Sequence, residues 1–268
     1  MKKLLLFSFI AVFIGIITPC TLYAVDLTLG PNICYAWLDE KQKPLPFRYT
    51  YDADPAFLYG PTLSLKFNDD FSLTYIFLTG DFDCKGTQYL PGGTSPNTGI
   101  ISLGEFEFVL NYRINEHFKV FGGAKYIYWT YVGYLDSFAE RALWVLIRSL
   151  VLGLPLGVEE FDSRGPTSGL QADFQVAENL FLIARLGGFY LWGKDKTTSE
   201  TFTYNEYGFN SNMGFEYHVQ FFPLIISLGG RFQYSQTGYY DVERGNRNKR
   251  KQKLYGITLA ITDTFSTW

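Results

Sequence analysis

From Val25 to the end of the chain, apolar residues fall on every second position. Val25, Leu27, Leu29, Ile33, Tyr35 and Trp37 alternate with Asp26, Thr28, Gly30, Asn32, Cys34 and Ala36 in the first such run. A period of two belongs to a β-strand, whose side chains point to opposite faces in turn. One face is apolar and its opposite small or polar, and the pattern repeats along the chain. This parity constrains the fold more than any other feature of the sequence.

Ten runs are predicted as strands, at about 25–38, 56–67, 71–80, 100–114, 118–133, 167–176, 180–192, 203–217, 223–235 and 254–265. Short turns follow every even strand, as at Asn68-Asp69-Asp70, Asn115-Glu116-His117 and Ala177-Glu178-Asn179. Longer connections follow the odd ones, at roughly 39–55, 81–99, 134–166, 193–202 and 236–253. A soluble sandwich would turn a polar face outward and has no reason to sort its connections by length. Apolar strands long enough to cross a bilayer, with short turns on one side and long loops on the other, predict a transmembrane β-barrel. The expected fold is all-β: a ten-stranded antiparallel barrel with both termini periplasmic. Tyr35, Trp37, Tyr134, Tyr190, Trp192, Tyr217, Tyr234 and Trp268 lie near strand ends, where aromatic girdles meet the two interfaces.

Ahead of the first strand, Lys2 and Lys3 precede an apolar stretch from Leu4 to Ile17. That stretch is shorter than the roughly 20 residues of a spanning helix. Residues 1–24 therefore read as a secretory signal peptide and 25–268 as the barrel. The formal net charge of −3 removes bulk nucleic-acid binding from consideration. Cys34 and Cys84 would share a compartment that permits a disulfide, but spacing does not show whether they meet. No spacing suited to a metal or cofactor is evident, so none is expected.

The polar face carries Lys66, Glu105, Glu107, Arg113, Lys119, Lys125, Asp173, Arg185, Glu206, Glu216 and Arg231. These are expected to line a narrow charged lumen. The turn at 115–117 sets Glu107 opposite Lys125, an attractive cross-strand pair. Within the third long connection, residues 138–152 are rich in helix formers. A short helix there would expose Phe138, Leu143, Trp144, Leu146, Ile147 and Leu150 unless it plugged or gated the barrel mouth, lay in the outer leaflet or met a partner. Arg244, Arg247, Lys249, Arg250, Lys251 and Lys253 read as a basic run in the last loop.

These features together resemble the small bacterial outer-membrane barrels, a porin-like class. The closing Asp-Thr-Phe-Ser-Thr-Trp resembles the C-terminal signal that such barrels present to the barrel-assembly machinery. The resemblance implies an integral outer-membrane protein surrounded by lipid, passing small solutes, hydrophobic ones among the candidates. Its rival is a surface protein whose loops bind a host or matrix partner, with the barrel as anchor. Asp81-Phe82-Asp83 resembles half of the rim site of the omptin proteases, which pair Asp-x-Asp with Asp-x-His. The chain's two histidines, His117 and His218, are predicted at the opposite end, so no enzyme is expected. The parity assignment makes a direct prediction. Leu110→Arg, on the lipid face, should cost about 2–4 kcal/mol near the bilayer midplane and block insertion. Asn111→Arg should be tolerated better, as heat-modifiable gel mobility after refolding into vesicles would report.

Overall fold

The computed structural model describes residues 26–43, 48–90, 93–134, 158–196, 201–241 and 246–266. Ten antiparallel strands form a closed barrel: β1 (Asp26–Lys43), β2 (Arg48–Lys66), β3 (Phe71–Leu90), β4 (Gly93–Arg113), β5 (Phe118–Tyr134), β6 (Val158–Ala177), β7 (Leu180–Lys196), β8 (Thr201–His218), β9 (Leu224–Asp241) and β10 (Asn246–Ser266). Each strand pairs with its sequence neighbours, and β10 closes on β1 from Asp26↔Ser266 to Lys43↔Lys249. Closure leaves no strand edge unpaired, the condition for placing backbone in hydrocarbon.

Side chains keep the predicted parity. Phe57, Leu110, Leu186, Met213, Leu228 and Ile257 face outward and are exposed. Leu110 sits outside and Asn111 inside, where the Asn111 amide donates to the Ser72 and Thr74 hydroxyls. An arginine at 111 must therefore displace a hydrogen-bonded group. Asn68 and Asn115 shape two of the short turns. Each accepts through its side-chain oxygen from two backbone N–H groups, those of Asp70 and Phe71 and those of His117 and Phe118 respectively.

Strand length departs from the sequence reading. The strands run 17 to 21 residues, well beyond the 9–11 or so that cross a bilayer. The stretches at 39–55, 81–99, 193–202 and 236–253, expected as loops, are for the most part continuations of paired strands. Pairing satisfies backbone groups that a loop would leave to water. Parity puts β-structure there too, but on a polar outer surface that gave no apolar signal. Near the short turns the outward residues are apolar, as at Phe71, Ile114, Phe118 and Val176. At the other end they are charged and exposed, as at Asp52, Asp54, Asp81, Asp83, Lys85, Arg164 and Lys194. The apolar belt thus lies toward the short-turn end, and the opposite end projects beyond it. With about 3.3 Å rise per residue and a tilt of about 40°, twenty residues reach roughly 50 Å, against a hydrocarbon core of about 30 Å.

The proposed helix at 138–152, with Phe138, Leu143, Trp144, Leu146, Ile147 and Leu150, falls outside the described residues, as do residues 1–24 and Trp268.

Candidate functional site

Three layers of side chains fill the lumen. At the short-turn mouth the groups are polar and partly solvated. Lys119 pairs with Asp173 at 2.5 Å, and Gln171 donates to the same carboxylate at 2.8 Å. Glu216 lies opposite Ser227. Lys66 and Arg113 turn toward the short turns. The Lys66 ammonium lies 2.7 Å from the Asp69 carboxylate, and this hydrogen bond and its positive charge hold the Asp69 carboxyl below its ordinary range. Arg113 donates to the Asn115 carbonyl at 3.1 Å.

The middle layer is an ion cluster that crosses the barrel. Arg231 on β9 donates to Glu105 on β4, five strands away in either direction and so on the opposite wall. Lys125 on β5, only 1% exposed, lies 2.5 Å from Glu105 and 3.5 Å from Glu107. It also donates to Gln233 on β9 at 3.1 Å. Arg185 on β7 donates to Glu107. The register does set Glu107 opposite Lys125, yet the shorter lysine contact is to Glu105. Asp173 lies one diagonal step from Arg185 but pairs with Lys119 instead.

Arg185 is positioned by a gap in the wall. Gly169 and Gly187 pair across β6 and β7, and a Cβ at either would come within 2.7 Å of the Phe121 ring. The ring therefore needs both glycines to lie flat there, and the Arg185 guanidinium stacks 4.0 Å from its centroid. A cation over an aromatic face gains electrostatic attraction in addition to its ion pair.

Above the cluster the lumen is apolar, which the sequence reading did not anticipate. Leu38, Leu58, Phe82, Leu103, Ile127 and Leu191 form a packed core inside the barrel. Cys34 and Cys84 join it as free, buried thiols. Cys84 lies in β3 rather than in a loop. Local breaks in alternation mark the layer in sequence, at Phe57-Leu58, Phe77-Leu78, Ile100-Ile101 and Ile127-Tyr128-Trp129. Glu206, with no exposure, sits among these residues and accepts from Ser163 at 3.1 Å.

The basic run divides by parity on β10. Lys249, Lys251 and Lys253 point out and are exposed, whereas Arg250 points in and is 1% exposed. Its guanidinium lies 4.3 Å from the Phe161 ring centroid and 5.6 Å from that of Trp129. Beside it Gln252 donates to Glu40 at 2.7 Å. The cavity between Glu40, Tyr51, Trp129 and Arg250 has about 10 Å³, room for one water at most. Asp81 and Asp83 face outward, flanking the buried Phe82, while His117 and His218 sit at the short-turn end. Among the described residues no three His, Cys, Asp or Glu side chains gather as a metal site.

No protein-family model and no curated protein matches this sequence. Solved structures do. The outer membrane protease OmpT from Escherichia coli aligns with a TM-score of 0.53 at 11% identity, over 90% of this chain and 97% of that one. The fold is that of a bacterial outer-membrane β-barrel. OprG from Pseudomonas aeruginosa aligns with a TM-score of 0.37 at 11% identity, over 90% and 95% of the two chains. Neisserial surface protein A gives 0.35 at 9% identity, over 89% and 97%. At such identities the likeness concerns fold alone.

The cluster generates a stability prediction. Glu105→Ala leaves Arg231 and Lys125 buried without their shared carboxylate, and removal of one partner from a buried pair costs about 3–5 kcal/mol. Urea titration of the vesicle-inserted barrel should show that loss. Lys66→Ala, which breaks only the exposed contact to Asp69, should leave the midpoint unchanged.

Proposed function

We propose that this barrel is an outer-membrane anchor, closed at rest, that works through the surface it raises above the lipid. The observation that carries the reading is the double closure of the lumen. Charges from opposite walls meet at Glu105 and Arg231, and a packed apolar layer lies above them. Parting such a layer would expose apolar side chains to water, at about 25 cal/mol for each Å² uncovered. The projecting end, by contrast, offers a tall wall of exposed charged residues on paired strands, a firm platform for contacts with a host or matrix partner.

In this reading both termini and the short turns are periplasmic, the final strand is what the barrel-assembly machinery engages, and the protein is not an enzyme. The last point is supported by the placement of Asp81 and Asp83 on the outer wall, at the far end from both histidines. A general base must come within hydrogen-bond reach of the proton it takes.

A second reading has its own observation. The short-turn half of the lumen is polar and partly solvated around Lys119, Asp173, Glu216 and Arg185, as a porin-like route for small solutes requires. Passage would then depend on the Glu105–Arg231 and Glu107–Arg185 contacts opening, with residues 138–152 as plug or gate. Single-channel recording in a planar bilayer separates the two. The anchor reading expects no steady conductance, either from the intact protein or after deletion of 138–152. Steady conductance in the intact protein, with ion selectivity altered by Glu107→Gln, would establish the pore. Conductance only after the deletion would assign those residues the gating role.

A further inference from the structure

We propose that the outward face of β10 and β1, just above the aromatic girdle, binds the phosphate of an outer-leaflet lipid headgroup. The inference rests on the orientation proposed above, which puts this end of the barrel outside the cell. Lys249, Lys251 and Lys253 stand on alternate positions of one strand, all exposed. The register sets Lys41, also exposed, directly opposite Lys251, and Lys43 opposite Lys249. Like charges facing each other across a strand pair are destabilising, so this arrangement is maintained against local electrostatics. None of Lys41, Lys249, Lys251 and Lys253 makes an ion pair with a described residue. Among the described residues the acidic groups facing the patch are Asp39, opposite Lys253, and Asp52, opposite Asp39 in turn. On the β9 side the neighbours are uncharged, with Tyr234 opposite Lys253 and Gln236 opposite Lys251. Four lysines against the two carboxylates Asp39 and Asp52 leave a positive excess.

Height selects the ligand. Directly below Lys253 on the same face, Tyr255 stacks on Trp37, with ring centroids 5.8 Å apart and planes 9° apart. Below that pair come Ile257, Leu259 and Ile261, all outward and exposed. Tyrosine and tryptophan mark the membrane–water boundary. Two strand residues rise about 6.6 Å, or about 5 Å along the normal at a 40° tilt. Lys253 therefore lies about 5 Å above the boundary pair, within a headgroup layer of roughly 5–7 Å, and Lys251, about 10 Å above it, reaches that layer with its long flexible stem. A soluble polyanion would meet them only at the membrane surface, whereas a lipid phosphate is held at that height already. Each basic residue near an anionic membrane surface adds roughly 5-fold to affinity.

The test uses the full chain refolded into phosphatidylcholine vesicles with and without phosphatidylglycerol as the phosphate-bearing anionic probe. Native mass spectrometry of the released protein measures retained phosphatidylglycerol. The proposal expects preferential retention, reduced roughly 5-fold by Lys251→Gln and abolished when Lys41, Lys249, Lys251 and Lys253 are all changed to Gln. Lys85→Gln combined with Lys194→Gln, elsewhere on the outer wall, should retain lipid as the parent does. Heat-modifiable mobility confirms that each variant is folded. Equal retention by the parent and the fourfold variant would overturn the proposal. So would equal binding of heparin in pure phosphatidylcholine vesicles, which would make the patch a site for soluble polyanions. Surface biotinylation of Lys249 and Lys251 on intact cells tests the orientation separately. Labelling without lipid preference sinks this inference alone, and lipid preference without labelling sinks the orientation.

Discussion

Hydrocarbon offers the peptide backbone no hydrogen-bond partner, and that single constraint organises this molecule. Every strand must be paired on both sides, so the last strand must return to the first, as Asp26↔Ser266 through Lys43↔Lys249 does. Once the sheet is closed, one face of every strand is committed to lipid and the other to the interior. Ten strands enclose a space only slightly wider than the side chains that fill it. The interior is therefore not a vessel lined by residues but a volume they occupy.

Charges enclosed in that volume need partners, and the geometry supplies them both along the wall, as for Lys125 with Glu105 on the neighbouring strand, and across the lumen, as for Arg231 with Glu105. Lys125, Arg185 and Arg231 converge on Glu105 and Glu107, with Gln233 accepting from Lys125 and Arg231. The contacts Arg231–Glu105, Lys125–Gln233 and Arg185–Glu107 tie together strands far apart in the sheet, so the cluster braces the barrel against deformation. The same contacts that neutralise the charges close the lumen. A standing water column and these pairings exclude each other.

The molecule is in effect two proteins stacked on one sheet. Its short-turn half is turned inside out, apolar outside at Leu110 and Leu228 and polar inside at Lys119 and Asp173. The projecting half follows the rule of water-soluble proteins, with Leu38, Phe82 and Leu103 inside and Asp81, Asp83 and Lys253 outside. The change in the sense of parity along each strand occurs near the level of Trp37 and Tyr255, where the solvent outside the sheet changes. The projecting half stands clear of the apolar belt, with its charged residues outward. Its rigidity comes from a core the membrane does not supply.

Alternation, turn chemistry and strand count made the barrel legible, because each is a local property imposed by the backbone. Asn68 and Asn115 fold their turns with their own side chains, and the register of β4 and β5 follows from the second of them. Which face of each strand Glu105 or Arg231 occupies was likewise a matter of counting by two. The partners were not. Whether Lys125 meets Glu105 or Glu107, and whether Arg231 reaches the opposite wall, depends on barrel width and stagger, which no segment of chain specifies. The basic run shows the limit most clearly. Six cations within ten residues read as one basic loop, whereas strand pairing sends Arg250 inward onto Phe161 and leaves Lys249, Lys251 and Lys253 outside. The sequence by itself determined the sheet and the face of every residue within its readable strands. Only the closed barrel decided how far those strands extend, which interior groups touch and that the lumen is filled, since contacts across a lumen exist only once the ring is closed.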